Sequence, residues 1–343
     1  MAYLRVHTMI DDRKAAILRA VVTEYIQTAQ PVGSAHAARA SEMNVSPATV
    51  RHEMATLEHE GYLRQPHTSA GRVPTDKGYR LFVDQLAPPG TLDRSQRQHV
   101  RDFFALAHGE LEDMLDATSK LLSRLTDYAA VVVGPAHEAA TVRSAQLVSL
   151  GPRHALLVVV LSNGSVEKRR LELAEDVDED RLADASRHLA AHLQGHSLAA
   201  AGPMVGLTGN LSTDALVGAA LVALSRQGGV DEIEHVFVGG ASRMASAFDA
   251  VETVRSVLGI LEQQYVVVTL LRDVLDRGLS VSIGSEHGVA SLAECAVVVA
   301  PYGVEGEDLG TVGVLGPTRM NYPQALAAVA MVSRRLGRHL SEG

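Results

Sequence analysis

The run Ser46-Pro47-Ala48-Thr49-Val50-Arg51-His52 carries residue types suited to hydrogen bonding along a nucleic-acid surface. A guanidinium such as that of Arg51 sets two N–H donors against O6 and N7 of guanine, worth about 1–3 kcal/mol of discrimination. His52 and Thr49 can reach bases or phosphate, and Ser46 with a helix start behind it suits a phosphate oxygen. Further on, His67-Thr68-Ser69-Ala70-Gly71-Arg72 places small donors on a tight turn closed by a cation. Such a loop can lie along a sugar–phosphate backbone or enter a minor groove. Arg64, Arg72, Lys77 and Arg80 stand in this stretch against Asp76 alone. The expected DNA contacts are therefore Ser46, Ala48, Thr49, Arg51, His52, His67, Thr68, Ser69, Arg72, Lys77 and Arg80. Taken singly, each feature also fits a solvated helix or a plain hairpin.

Other reactive types lead elsewhere. His188, His192 and His196 recur at i, i+4 and i+8, but Gly195 should end their helix before the third, and no carboxylate or cysteine completes a shell. A solvated flank is the plainer reading, with no metal. Gly310, Gly313 and Gly316 lack the following Gly-Lys-Ser/Thr of a phosphate cradle and read as strand positions allowing close packing. Cys295 precedes an apolar run and reads as a small buried hydrophobe. Arg319 reads as an interface cation with Glu286 as its partner. No serine–histidine–acid set or paired carboxylates stand out, so no catalytic residue, cofactor or enzymatic activity is expected.

The elements that must position these residues follow from caps and periodicity. Asp11-Asp12 can cap a helix to about Ala29, with Ile17, Leu18, Val21, Val22, Tyr25 and Ile26 on one stripe. Ser34 caps a short helix to about Ser41. Ser46-Pro47 opens a third, since serine favours the N-cap and proline the first turn. Val50, Met54 and Leu57 give it an inward face, leaving Ala48, Thr49, Arg51, His52 and Ala55 outside. Gly61 ends it. A strand over Tyr62–His67, a turn, Arg72-Val73 and a helix capped by Thr75 complete a winged helix-turn-helix order. Pro88-Pro89-Gly90 reads as a linker.

Beyond it, Asp93–Thr126 reads as one or two helices. Strands follow at Ala129–Val133, Ala145–Leu150, Ala155–Leu161 and Val166–Leu173, the last two joined by an Asn163-Gly164 turn. An alanine- and leucine-rich helical region starts at the acidic run Glu175–Asp180 and continues to about Leu271. Strands return at Leu279–Ile283, Cys295–Ala300 and Gly310–Leu315, before a helix from Pro323. Two β-rich pieces around a helical block suggest one α+β domain interrupted by an insertion.

With 343 residues, 46% of them apolar, two or three domains with real cores are expected. The net charge of −9 hides an asymmetry: Met1–Leu86 holds 10 Lys+Arg and 9 Asp+Glu, so the acidity lies in the remainder. One cysteine suits a reducing interior, and no signal peptide or membrane-length apolar run stands out. A soluble, cytoplasmic chain is expected.

Three longer runs then carry a resemblance. They are Ser46 to Arg51 with Leu57-Glu58 and Gly61-Tyr62-Leu63; Pro66 to Thr75 with Gly78-Tyr79-Arg80; and Gly310 to Tyr322 preceded by Ile283-Gly284-Ser285-Glu286. Together they resemble the HrcA heat-inducible transcription repressors, with Asn321 where that family carries aspartate. The resemblance implies an α+β multidomain chain: a winged helix-turn-helix over 1–88, a GAF-like domain from 89–174 and 272–343, and an inserted helix-rich dimerisation domain over 175–271. It implies a homodimer on an inverted-repeat (CIRCE-type) operator in double-stranded DNA ahead of chaperone genes, with activity dependent on the GroEL chaperonin. The alternative is a regulator gated by a small molecule held in the GAF-like domain.

Overall fold

A computed structural model describes residues 10–41, 45–68, 70–88, 90–107, 110–135, 141–162, 166–197, 205–206, 208–225, 236–244, 248, 251–276, 280–304 and 307–342. The Asn163-Gly164 turn lies outside them. Asp11 accepts from the Lys14 N–H and starts α1 (Asp12–Thr28), whose Ile17, Leu18, Val21 and Val22 are fully buried. α2 (Ser34–Ala40) follows, with Gly33 rather than Ser34 at its N-cap. α3 (Pro47–His59) ends at Gly61, whose φ of +80° is the left-handed conformation a side chain would resist. The hairpin strands are short, β1 (Leu63–Arg64) against β2 (Val73–Pro74). Thr75 caps α4 (Asp76–Leu81), which runs into one π-helical turn, Phe82–Leu86. These elements form the head.

α5 (Arg94–Leu106) and α6 (Leu111–Thr126) lead into the body. Its five-stranded sheet is antiparallel throughout, with strands in the spatial order Val236–Gly239, Ala129–Val133, Glu307–Pro317, Cys295–Val304, Val281–Ile283. Side-chain alternation divides the sheet between two cores. Ala130, Val132, Val298, Val312 and Val314 face α5, α6 and the last helix (Tyr322–Glu342). Val131, Val133, Val297 and Val299 face the helices Val251–Leu261 and Gln264–Asp276. Among the described residues no single helix is long and apolar enough to cross a membrane.

The glycines expected to permit close packing do so. A Cβ on Gly310 would fall 2.3 Å from the Val133 carbonyl oxygen, and one on Gly316 would fall 2.7 Å from the Tyr128 ring. Cys295 is fully buried in the second core, and burial pushes its thiol up to about 12. The native protein is therefore expected to leave this thiol unmodified by a thiol reagent at about pH 8, where only unfolded chains offer a thiolate. Rapid modification without denaturant would show the burial to be wrong.

A second, three-stranded antiparallel sheet (Val142–Gly151, His154–Leu161, Val166–Glu172) has its own core. Leu147, Leu157, Val159 and Leu171 pack on Leu182 and Leu189 of one helix (Glu179–Leu193) and Leu216 and Ala220 of another (Leu211–Ser225). The boundary expected at residue 175 thus runs through a shared core, which joins these strands to the helices that follow them. The small strand Val236–Gly239, within the span expected to be helical insertion, pairs with Ala129–Val133 of the five-stranded sheet. Conversely, the head does not stand apart behind its Pro-Pro-Gly linker. Its Leu18, Leu57 and Tyr79 belong to the same continuous core as Val132, Val312 and Leu336 of the body.

Candidate nucleic-acid interface

The geometry of α3 begins at its caps. Ser46 Oγ accepts from the Thr49 N–H at 3.1 Å and lies 3.0 Å from Thr49 Oγ1, so the two hydroxyls and a free N–H close the first turn together. Val50, Met54 and Leu57 point inward with at most 2% exposure. Ser46, Ala48, Arg51, His52 and Ala55 are exposed and Thr49 is half-buried, so the outward face is the expected one. Arg51 has no ion-pair partner among the described residues.

The hairpin tip is ordered from inside. Gln65 donates through Nε2 to the carbonyl oxygens of Thr68, at 3.0 Å, and Ala70, at 2.9 Å, while Ala70 N–H donates to His67 O. His67 and Thr68 are left exposed. Ser69 lies outside the described residues. The hairpin is also tied to the loop after α1, because Val32 and Arg72 exchange backbone hydrogen bonds at 2.9 Å in both directions.

The expected cations have partners within the protein. Arg72 is not a free cation at the tip: its Nε and Nη2 meet Glu58 Oε2 at 2.9 and 2.8 Å, tying the hairpin to α3. Lys77 Nζ donates to the Glu60 carbonyl oxygen at 2.7 Å, where unpaired carbonyls end α3, and sits 4.2 Å from the Tyr62 ring centroid. Arg80 points into the body, where Glu286 takes its guanidinium on both carboxylate oxygens and Val281 O accepts a further bond. Arg72 and Arg80 are therefore paired with carboxylates of the protein itself, while Lys77, exposed, gives one donor to a backbone carbonyl. Glu286, the expected partner of Arg319, holds Arg80. Arg64, weighed only as part of the local charge, is exposed on β1 with no ion-pair partner among the described residues. The strand period could have singled it out, since Leu63 beside it is buried.

The histidines of the second unit are engaged by backbone. His188 Nε2 lies 2.7 Å from Gly206 O and His192 Nδ1 2.9 Å from His188 O, while His196 lies beyond the helix end.

Comparison with known proteins supplies the context. Residues 112–326 match the family profile described as "HrcA protein C terminal domain". The chain is 39% identical over 343 residues to "Heat-inducible transcription repressor HrcA" of Acidothermus cellulolyticus, covering 97% of this chain and 100% of that relative. It is 40% identical over 345 residues to the protein of the same name from Rhodococcus jostii, covering 97% and 99%. A crystal structure of a hypothetical protein, 21% identical, superposes with a TM-score of 0.66 over 97% of this chain and 99% of that one, a likeness of fold.

Proposed function

This chain belongs to the HrcA family of heat-inducible transcription repressors, and from that premise we propose that it binds an inverted-repeat operator in double-stranded DNA as a homodimer, through α3 and the hairpin beside it. The observation that carries the reading is the outward face of α3: a doubly capped helix presenting Ala48, Thr49, Arg51 and His52, its one arginine without an ion-pair partner among the described residues. On this reading the head is a winged helix-turn-helix, with α3 in the major groove and His67 and Thr68 beside the backbone. Ser46 and the α3 N-terminus meet a phosphate, and Arg64 takes over the electrostatic part assigned to Arg72, Lys77 and Arg80.

The body is then the GAF-like domain, and the unit of residues 142–225 the inserted dimerisation domain. Exposed apolar side chains support the latter: Val148, Leu150 and Val166 on the three-stranded sheet, and Leu211 and Val222 on a neighbouring helix. Dependence on GroEL is proposed from the family resemblance. Control by a small molecule is the weaker reading. The cavity between the five-stranded sheet and the helices Val251–Leu261 and Gln264–Asp276 measures about 10 Å³ and is lined by Val131, Ile260, Leu271 and other aliphatic groups. That is room for about one water.

The decisive experiment is a footprint of the purified protein on its own genome's chaperone promoters, with and without chaperonin. Protection of a palindrome, strengthened by chaperonin, is the expected result; unprotected promoters in both conditions would defeat the proposal. Salt titration then sorts the cations, because each lost phosphate contact lowers the slope of log affinity against log salt by about one. Arg64→Gln is expected to lower that slope by about one, while Lys77→Gln leaves it unchanged. The opposite pattern would return Lys77 to the interface.

A further inference from the structure

The face of α4 formed by Asp76, Tyr79 and Arg80 lies away from the proposed DNA surface and is bonded to the body. Asp76 Oδ2 accepts from both the Ser285 N–H and the Ser285 hydroxyl, each at 3.1 Å. Arg80 Nε donates to Glu286 Oε1 at 2.9 Å, Nη2 to Glu286 Oε2 and to Val281 O, and Nη1 to Asp84 Oδ1 at 3.3 Å. The Tyr79 and Tyr322 rings pack with centroids 5.9 Å apart. The receiving turn, Gly284–His287, is itself held, since the Ile283 N–H donates to Glu286 Oε2 at 2.8 Å. Gly284 has a φ of +56°, and a Cβ there would lie 2.3 Å from Asp76 Oδ2, so any larger residue would displace the Asp76 carboxylate from Ser285. A planar guanidinium bound to four acceptor atoms fixes rotation as well as distance.

We propose that Asp76 and Arg80, with Ser285 and Glu286 as their receptors, are positioning residues that fix the head's orientation on the body and thereby determine which half-site spacing the dimer accepts. The inference rests on the DNA-binding reading above. α3 is buried against α1 through Val50, Met54 and Leu57, and the α4 latch ties the same core to the sheet. With the dimer joined through the 142–225 unit, a head fixed on its body removes one of the two junctions at which the separation and rotation of the α3 pair about the duplex could vary. A dimer reads two half-sites about one helical turn apart, and inserting half a turn puts the second on the wrong side. A rigid dimer then loses the whole gain of binding twice, on the order of 10²–10⁴-fold, whereas a dimer with swivelling heads keeps most of it.

The test uses full-length protein carrying Asp76→Asn, Ser285→Ala and Glu286→Gln, with Ser285→Ala alone as a milder variant should the triple variant unfold. Inverted-repeat duplexes with the natural spacer, and with about five base pairs inserted, are compared with a single half-site. The wild type is expected to lose ~100-fold or more on the misspaced duplex and the latch variant less than ~10-fold, with half-site affinity unchanged. In parallel, nitroxides on Arg19→Cys in α1 and Arg334→Cys in the last helix, both exposed, report the head–body distance in labelled chains diluted with unlabelled protein. Cys295, being buried, does not compete for label. One narrow distance is expected in the wild type and a broad distribution in the variant. A variant with the wild-type spacing profile and the same narrow distance overturns the proposal. Wild-type protein that binds no inverted repeat defeats the DNA-binding reading and the spacing claim together; the distance measurement still decides whether the latch holds the head.

Discussion

Arg51→Ala is expected to reduce the protein's preference for its operator over a scrambled duplex by about 1–3 kcal/mol, roughly 5- to 150-fold. Arg51 is exposed and has no ion-pair partner among the described residues. Its neighbours in charge are committed: Arg72 to Glu58, Lys77 to the end of α3, Arg80 to Glu286. Arg51 alone among the expected arginines sits on the outward face of α3 and has no hydrogen-bond or ion-pair partner among the described residues. An arginine in a major groove gains two parallel bonds to guanine that a single ammonium does not reproduce, so Arg51→Lys should recover affinity for all sequences but little of the preference. Competition binding at fixed salt separates the two quantities. Unchanged affinity and unchanged preference in Arg51→Ala would remove α3 from the role of reader.

The second large effect lies outside the interface. Tyr322→Ala should destabilise the protein by about 3–5 kcal/mol, the range for deleting a large buried ring. Tyr322 is fully buried, packs on Tyr79 of the head, and donates its hydroxyl to Thr318 O at 2.5 Å. Burial holds its phenol well above the ordinary tyrosine range, so the ring stays neutral through the accessible pH range. The informative part is where the loss appears. Because one core runs from Ile17 to Leu336, Tyr322→Ala in the body and Leu57→Ala in the head should lower the same calorimetric transition. Separate melting of the head, untouched by Tyr322→Ala, would show that the core is divided after all.

Local features were legible in the sequence because their causes are local. Ser46-Pro47 announces a helix start through one hydroxyl and one fixed φ, and the hairpin turn and the Gly61 stop are read the same way. The inward stripe of α3 follows from its period. The fate of the cations was not legible. Glu58, the Glu60 carbonyl and Glu286 lie 14, 17 and 206 residues from the charges they take up, and counting charge along a segment cannot say which are already paired. Which strands share a core with the inserted helices was not legible for a related reason. Alternation in Ala155–Leu161 shows that one face is buried, but which helices cover it is decided only when the chain folds back. The resemblance to HrcA proteins located the run Ile283-Gly284-Ser285-Glu286 without explaining it; its place under Asp76 and Arg80 gives it a physical role.

The shared core also bears on how the protein is made. Tyr79 meets its partner ring only when Tyr322 arrives, some 250 residues later, about 12–50 s at ribosomal rates of roughly 5–20 residues per second. Until then the side of Tyr79 that packs on Tyr322 lacks its cover. Each molecule must pass through a stage of synthesis in which its reading head hangs unfinished from the ribosome. The head's core is thus complete only once the last helix has been made.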